Sequence, residues 1–128
     1  MSESGLHALL VKGFRDVSEL LDRKQSTLAA APLLADLAAE VEPSAQSDEV
    51  KRAFLYALDS RELSGTVEII QYFAHRFRWS WLRTEVEKRY LDRLANGDHR
   101  LTRHYERMLE AFSSDWEDKD LFPGIDRQ

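Results

Sequence analysis

The segment VKRAFLYAL, residues 50–58, decides the fold class of this chain. Its apolar side chains follow the spacing i, i+4, i+5, i+8, which places them on one face of an α-helix. They are Val50, Phe54, Leu55 and Leu58. The same spacing recurs twice, in Leu6/Leu10/Val11/Phe14 and in Val86/Tyr90/Leu91/Leu94. The three segments predict three amphipathic helices, each with a buried apolar face.

A second spacing, i, i+3, i+4, i+7, follows each of these segments. It is found in Leu34/Leu37/Ala38/Val41, in Ile70/Phe73/Ala74/Phe77 and in Tyr105/Met108/Leu109/Phe112. Together the two spacings predict a single all-α domain of six helices, arranged as three antiparallel pairs. The expected helices cover residues 4–23, 32–42, 47–58, 66–78, 80–95 and 98–113.

Residues that start or stop helices set these boundaries. Pro32 suits the first turn of the second helix, where its missing N–H needs no partner. Ser47 and Asp98 are predicted to cap the third and sixth helices. The apolar face changes phase near residue 79, which predicts a break with Ser80 as the cap of the fifth helix. Gly97 is expected to end that helix.

The distance between matching positions suggests a possible internal repeat. Val50 and Val86 are 36 residues apart, and so are Leu34 and Ile70. A period of this size is typical of paired-helix repeats such as HEAT units. An irregular six-helix bundle satisfies the same spacings, so the sequence leaves both arrangements open.

Composition excludes several classes of protein. The chain has 128 residues, 43% hydrophobic side chains and no cysteine, which excludes a disulfide scaffold and a thiolate metal site. The acidic N-terminus and the lack of a long apolar run predict neither an export signal nor a membrane span. We therefore expect a cytoplasmic protein that needs no metal and no cofactor.

Charge is unevenly distributed along the chain. Residues 75–107 carry 9 basic and 5 acidic side chains, whereas residues 1–74 carry 7 and 12 and residues 108–128 carry 2 and 6. A basic block between two acidic ones favours contacts within the chain or with another protein. Binding of nucleic acid through residues 75–107 is the alternative interpretation.

Aromatic and cationic side chains concentrate around the end of the fourth helix and on the sixth. They can form an exposed partner-binding surface, because tyrosine, tryptophan and arginine dominate protein interfaces. The candidate binding residues are Tyr72, Arg76, Trp79, Trp81, Arg100, Arg103 and Arg107. The competing interpretation is that the aromatic rings belong to the core and that the arginines pair with acids of this chain.

Catalytic signatures are missing from the sequence. The four histidines form no helical metal pair, and the chain has no glycine-rich phosphate loop. A small helical enzyme or ligand-binding domain with a pocket near His75 is a further alternative, with Glu68 on the same predicted helix face.

The C-terminal segment mixes acidic residues with four large apolar side chains. We expect residues 115–125 to pack back on the domain. The sequence thus favours a non-catalytic protein-interaction domain that acts as an adaptor, as an inhibitor or immunity-like partner, or by self-association.

Overall fold

A computed structural model describes residues 4–24, 26–44, 47–60, 65–113 and 116 of the chain. These residues form six α-helices, and none of them lies in a β-strand, so the predicted all-α class is confirmed. The helices are α1 (Ser4–Lys24), α2 (Thr27–Val41), α3 (Asp48–Asp59), α4 (Thr66–Phe77), α5 (Ser80–Ala95) and α6 (His99–Glu110). One turn of 3₁₀-helix, Glu42–Ser44, follows α2.

Helix α2 begins earlier than the sequence predicts. It starts at Thr27 rather than at Pro32, because the hydroxyl of Ser26 accepts a hydrogen bond from the amide of Ala29 and caps the new first turn. Pro32 therefore lies inside the helix. The ring removes one i to i−4 hydrogen bond, which would have ended on the carbonyl of Leu28.

The other helix ends agree better with the predicted capping residues. The side chain of Ser47 accepts from the amide of Val50, and that of Asp98 accepts from the amide of Leu101. Gly97 has φ = 72°, the left-handed conformation that glycine adopts without steric cost. Ser80 does not cap α5 as predicted: it is the first helical residue, and Trp79 precedes it at the cap position without a side-chain bond.

The predicted break between the fourth and fifth helices is confirmed. Arg78 has φ = 50° and ψ = 41°, so a non-glycine residue takes the left-handed conformation and ends α4. Helix α5 begins two residues later, at Ser80. The short turn brings the side chains on its two sides close together.

The helices pack as two sets. Among the described residues α1 contacts α3 and α3 contacts α5, while α2 contacts α4 and α4 contacts α6. The pairs α1 and α2, and α5 and α6, also pack on each other as predicted. Helices α3 and α4 touch as well, but α3 packs more extensively on α1, and α4 on α6.

Two pairs of hydrogen bonds give the relative direction of packed helices. On α1 and α3, the amide of His7 donates to Glu49, and Arg15 donates to the hydroxyl of Tyr56 two turns further along both helices. On α4 and α6, the side-chain amide Nε2 of Gln71 donates to the backbone carbonyl of Arg107. The ring Nδ1 of His75 lies 3.2 Å from the carbonyl oxygen of Ala111 one turn later. Helices α1 and α3 are therefore parallel, and so are α4 and α6.

The core is one cluster to which all six helices contribute. Phe54 of α3 lies near its centre and is fully buried. Its ring centroid is 4.8 Å from that of Phe73, 5.1 Å from that of Phe14 and 5.4 Å from that of Trp79, each in an edge-to-face arrangement. Phe54 thus joins α1, α4 and the turn before α5.

Candidate functional site

The aromatic half of the predicted partner-binding surface lies in the core. Tyr72 is 2% exposed and Trp79 is 7% exposed, so neither side chain can contact a partner. This corrects the prediction of an exposed aromatic patch. Burial also raises the pKa of the Tyr72 hydroxyl above its ordinary value, against a smaller opposite effect of the nearby Arg76 charge.

The turn at Arg78 brings Trp79 into contact with the aromatic rings on both sides of it in the sequence. The rings of Phe77 and Trp79 stack with their centroids 4.8 Å apart and their planes at 9°. The rings of Trp79 and Trp81 also stack, with their centroids 5.4 Å apart and their planes at 19°. Three nearly parallel rings thus pack at the junction of α4 and α5. The change of phase in the sequence predicts the break between the helices but not this stacking.

Cations flank both ends of this stack. The guanidinium of Arg76 lies 5.4 Å from the ring centroid of Phe77, and the ammonium of Lys51 lies 5.8 Å from that of Trp81. Arg76 also approaches Glu42 at 3.9 Å. The structure therefore uses Arg76 and Trp81, both half-buried, in contacts within the chain.

The three arginines predicted on α6 lie on its outward side but differ in their contacts. Arg103 donates to Glu106 at 2.6 Å and approaches Glu110 at 3.1 Å, both on its own helix. Arg107 approaches Glu68 of α4 at 3.8 Å. Among the described residues Arg100 makes no ion pair. Only Arg100 of the predicted arginine row therefore has no carboxylate partner in the described part of the chain.

Similar pairing reduces the basic character of the block 75–107. Arg83 pairs with Glu87, and Arg89 pairs with Glu85 and Asp59. Most of the cations that would contact phosphates in the nucleic-acid interpretation thus face carboxylates of the same chain.

An open cleft of about 580 Å³ lies between the end of α3, the end of α5 and the beginning of α6. We call it the α5–α6 cleft. Its lining includes Arg93, Arg100 and His104 as nitrogen-bearing side chains, and Asp59 and Asp98 as carboxylates. Apolar atoms come from Leu58, Leu101 and Tyr105. Of these residues only Arg100 was a candidate from the sequence, because the cleft depends on how distant helices pack.

Asp59 is held at the edge of this cleft by Arg89. The guanidinium donates twice to the carboxylate, Nε to Oδ1 at 2.8 Å and Nη2 to Oδ2 at 3.0 Å. These hydrogen bonds lower the pKa of Asp59, while partial burial opposes the change. Arg89 also donates to Glu85 at 2.8 Å and lowers the pKa of that carboxyl. Asp59 is therefore an ionised carboxylate whose charge Arg89 offsets in part.

The late apolar residues of α5 form a second candidate surface. Leu91 is 59% exposed and Leu94 is 52% exposed, although the repeated spacing predicted both as part of a buried face. Leu55 and Leu58 are the equivalent residues on α3. Leu55 is half-buried, and Leu58 is 2% exposed. Among the described residues α3 packs on α1, α4 and α5, whereas α5 packs mainly on α6 and less extensively on α3, and this leaves its late leucines exposed. We call the surface formed by Leu91 and Leu94 the α5 face.

His75 lies in the core and not in the α5–α6 cleft. It is 2% exposed, and its ring lies 5.4 Å from that of Trp116 between centroids. Glu68, its expected companion, instead approaches Arg107. The hypothesis of a functional pocket at His75 therefore gains no support from the position of this ring.

Trp116 is the one described residue of the predicted docked segment. It is 5% exposed and belongs to the core cluster. The remainder of residues 115–125 lies outside the described residues, so the rest of that prediction stays open.

Among the described residues no group of three or more histidine, aspartate and glutamate side chains is placed to hold a metal ion. None of the six helices combines the length and the apolar character needed to cross a bilayer.

Comparisons of the chain with known protein families, with curated proteins and with solved structures found no match.

Proposed function

We propose that this chain is a protein-interaction domain that associates with a second copy of itself through the α5 face. The observation that carries the proposal is the exposure of Leu91 and Leu94, at positions whose equivalents on α3 are covered. Covering two large apolar side chains that lie one turn apart stabilises an association. A protein partner of another sequence is the alternative occupant of this face.

A second copy fits this face for a geometric reason. In a two-fold symmetric contact the same patch meets itself, so the leucines of one α5 cover those of the other. On α3 the equivalent leucines already pack against the core cluster of this chain, Leu58 fully and Leu55 in part. One sequence then supplies both halves of the contact.

The expected association is weak. Leu91 and Leu94 alone provide much less area than the roughly 800 Å² per partner of a standard stable interface. We therefore expect a dissociation constant of about 10–500 µM, in a rapid equilibrium between monomer and dimer.

Sedimentation velocity from 10 µM to 1 mM protein tests this proposal. The wild type should show a sedimentation coefficient that rises with concentration. The double variant Leu91→Glu/Leu94→Glu should stay monomeric throughout, because four charges would have to be buried in the contact.

The matched control is Leu9→Glu/Leu28→Glu, which changes two leucines that are 43% and 51% exposed on α1 and α2. It adds the same charge and should still associate. The proposal would be contradicted by a wild type that stays monomeric at 1 mM, or by an equal loss of self-association in both double variants.

The helical-repeat interpretation belongs to the same proposal. The contacts of α1 with α3 and of α3 with α5, and those of α2 with α4 and of α4 with α6, run in the order expected of a two-layer helical array. In such an array the last pair leaves an open end, and the α5 face lies on that pair. A deletion of residues 80–128 should then expose the equivalent α3 positions and cause aggregation.

A further inference from the structure

We propose that the α5–α6 cleft binds a small organic carboxylate, with Arg100 as the residue that contacts the carboxylate group. This inference does not depend on self-association through the α5 face.

The first argument is the size and shape of the cleft. Its volume of about 580 Å³ is within the range of small-molecule sites, which is roughly 300–1,000 Å³. Three different helices supply its walls, α3 through Leu58 and Asp59, α5 through Arg93, and α6 through Leu101 and Tyr105. A ligand in this position would be enclosed from several sides and not held on a flat surface.

The second argument is the state of the charges that line the cleft. Asp59 is already bound by both donors of the Arg89 fork. Asp98 accepts from the amide of Leu101 as the cap of α6, and its other oxygen lies 3.8 Å from Arg93. Both carboxylates thus have cationic or amide partners within the chain, whereas Arg100 has no carboxylate within 4 Å among the described residues. The charged group of the cleft that is left to bind a ligand is therefore the guanidinium of Arg100, a cation.

The third argument concerns the type of anion. Arginine donates two parallel N–H groups, which match the two oxygens of a carboxylate. Arg89 and Arg93 offset the charges of Asp59 and Asp98 only in part, because Arg89 also pairs with Glu85 and Arg93 with Asp92. The negative charge that remains opposes a dianion more strongly than a monoanion. These charges favour a monocarboxylate over a phosphate.

The apolar lining indicates the rest of the ligand. Leu58 and Tyr105 are buried, and the hydroxyl of Tyr105 donates to the carbonyl of Leu58. This bond fixes the tyrosine ring beside the cleft. A ligand with an aromatic or branched aliphatic body can pack against the ring and against Leu101 while its carboxylate reaches Arg100.

Titration of the ¹⁵N-labelled protein with sodium benzoate, followed by amide chemical shifts, tests the inference. Benzoate supplies a monocarboxylate on an apolar ring. We expect saturable shifts at Leu101, His104 and Tyr105 with a dissociation constant of about 1–10 mM, the affinity of a fragment-sized ligand. Benzamide, which has the same shape without the charge, should bind at least about tenfold more weakly. Inorganic phosphate should cause no saturable shift at these amides.

The variant Arg100→Gln should weaken benzoate binding by at least about tenfold, because it removes the charged fork. The matched control Arg83→Gln changes another exposed arginine of the same helical pair that does not line the cleft, and it should bind as the wild type does. Thermal unfolding of both variants checks that they remain folded.

Four results would overturn the inference: no saturable shift with benzoate, equal binding of benzamide, an equal response to phosphate, or unchanged affinity in folded Arg100→Gln. Because Leu91 and Leu94 are intact in both arginine variants, any loss of benzoate binding is separate from a loss of self-association.

Discussion

Leu58 on α3 is 2% exposed, whereas Leu94, which holds the same place in the repeated spacing 36 residues later, is 52% exposed. The same sequence pattern thus gives a buried leucine on α3 and an exposed leucine on α5. Among the described residues α3 packs on α1, α4 and α5, whereas α5 packs on α6 and α3 and leaves Leu94 exposed.

Truncating these two leucines should therefore have unequal effects on stability. Leu58→Ala should lower the free energy of unfolding by about 2–5 kcal/mol, since it leaves a cavity in the core. Leu94→Ala should lower it by less than about 0.5 kcal/mol. Urea denaturation at low micromolar protein measures both values. Equal losses would mean that Leu94 is buried within the monomer.

Phe54 should be among the side chains that contribute most to stability. It contacts the rings of Phe14, Phe73 and Trp79, so Phe54→Ala opens a cavity between three helices. We expect a loss of about 3–5 kcal/mol, measured by chemical denaturation. Phe54→Leu keeps most of the volume and should cost less. A loss below 1 kcal/mol in Phe54→Ala would contradict the described core.

Two glycines allow a matched test of backbone conformation. A Cβ added at Gly97 or at Gly5 meets no atom within 4 Å, but only Gly97 has a positive φ, at 72°. Gly97→Ala should therefore destabilise the protein by about 1–2 kcal/mol. Gly5→Ala should be neutral or stabilising by up to about 1 kcal/mol, since alanine favours a helix. Thermal unfolding compares the two, and the opposite order would contradict the turn between α5 and α6.

The hydrogen bonds between Arg89 and Asp59 should make stability depend on pH. Because the folded chain lowers the pKa of Asp59 below its ordinary value of 3.8, the unfolded state binds more protons in acid. The stabilisation is therefore present at neutral pH and is lost as the pH falls from the unfolded pKa through the folded one.

Asp59→Asn measures this contribution. Because the Asp59 side chain is largely exposed, the substitution should lower the free energy of unfolding by only about 0.5–1.5 kcal/mol at pH 7. The difference from wild type should disappear at low pH, where Asp59 is protonated. Asp16→Asn, which removes an exposed pair with Lys12, is the control and should cost less than about 0.5 kcal/mol. A difference that is the same at pH 7 and pH 2.5 would contradict the ion-pair account.

Local rules predicted the helices well because capping and periodicity act within a few residues. Ser47, Gly97 and Asp98 end or begin helices as expected. The start of α2 differs from the prediction, because Ser26 caps the helix before Thr27 and Pro32 is accommodated inside it.

The burial of the aromatic side chains is less predictable from the sequence than the helices are. Trp79 lies in a turn, where helical periodicity cannot predict whether a side chain is buried or exposed. It is buried because its ring stacks with those of Phe77 and Trp81. The pairing of Arg103 was accessible from the sequence, since Glu106 and Glu110 lie three and seven residues later on the same helix. The α5–α6 cleft was not accessible, because it joins Asp59 to residues more than 30 positions away.

A dilution series of amide chemical shifts shows whether the α5 face is a contact surface. Spectra of the ¹⁵N-labelled wild type from 1 mM to 20 µM should show shifts concentrated on residues 87–95, and the Leu91→Glu/Leu94→Glu variant should show none. Spectra that do not change with concentration, or changes centred on α1 and α2, would contradict this role of the α5 face.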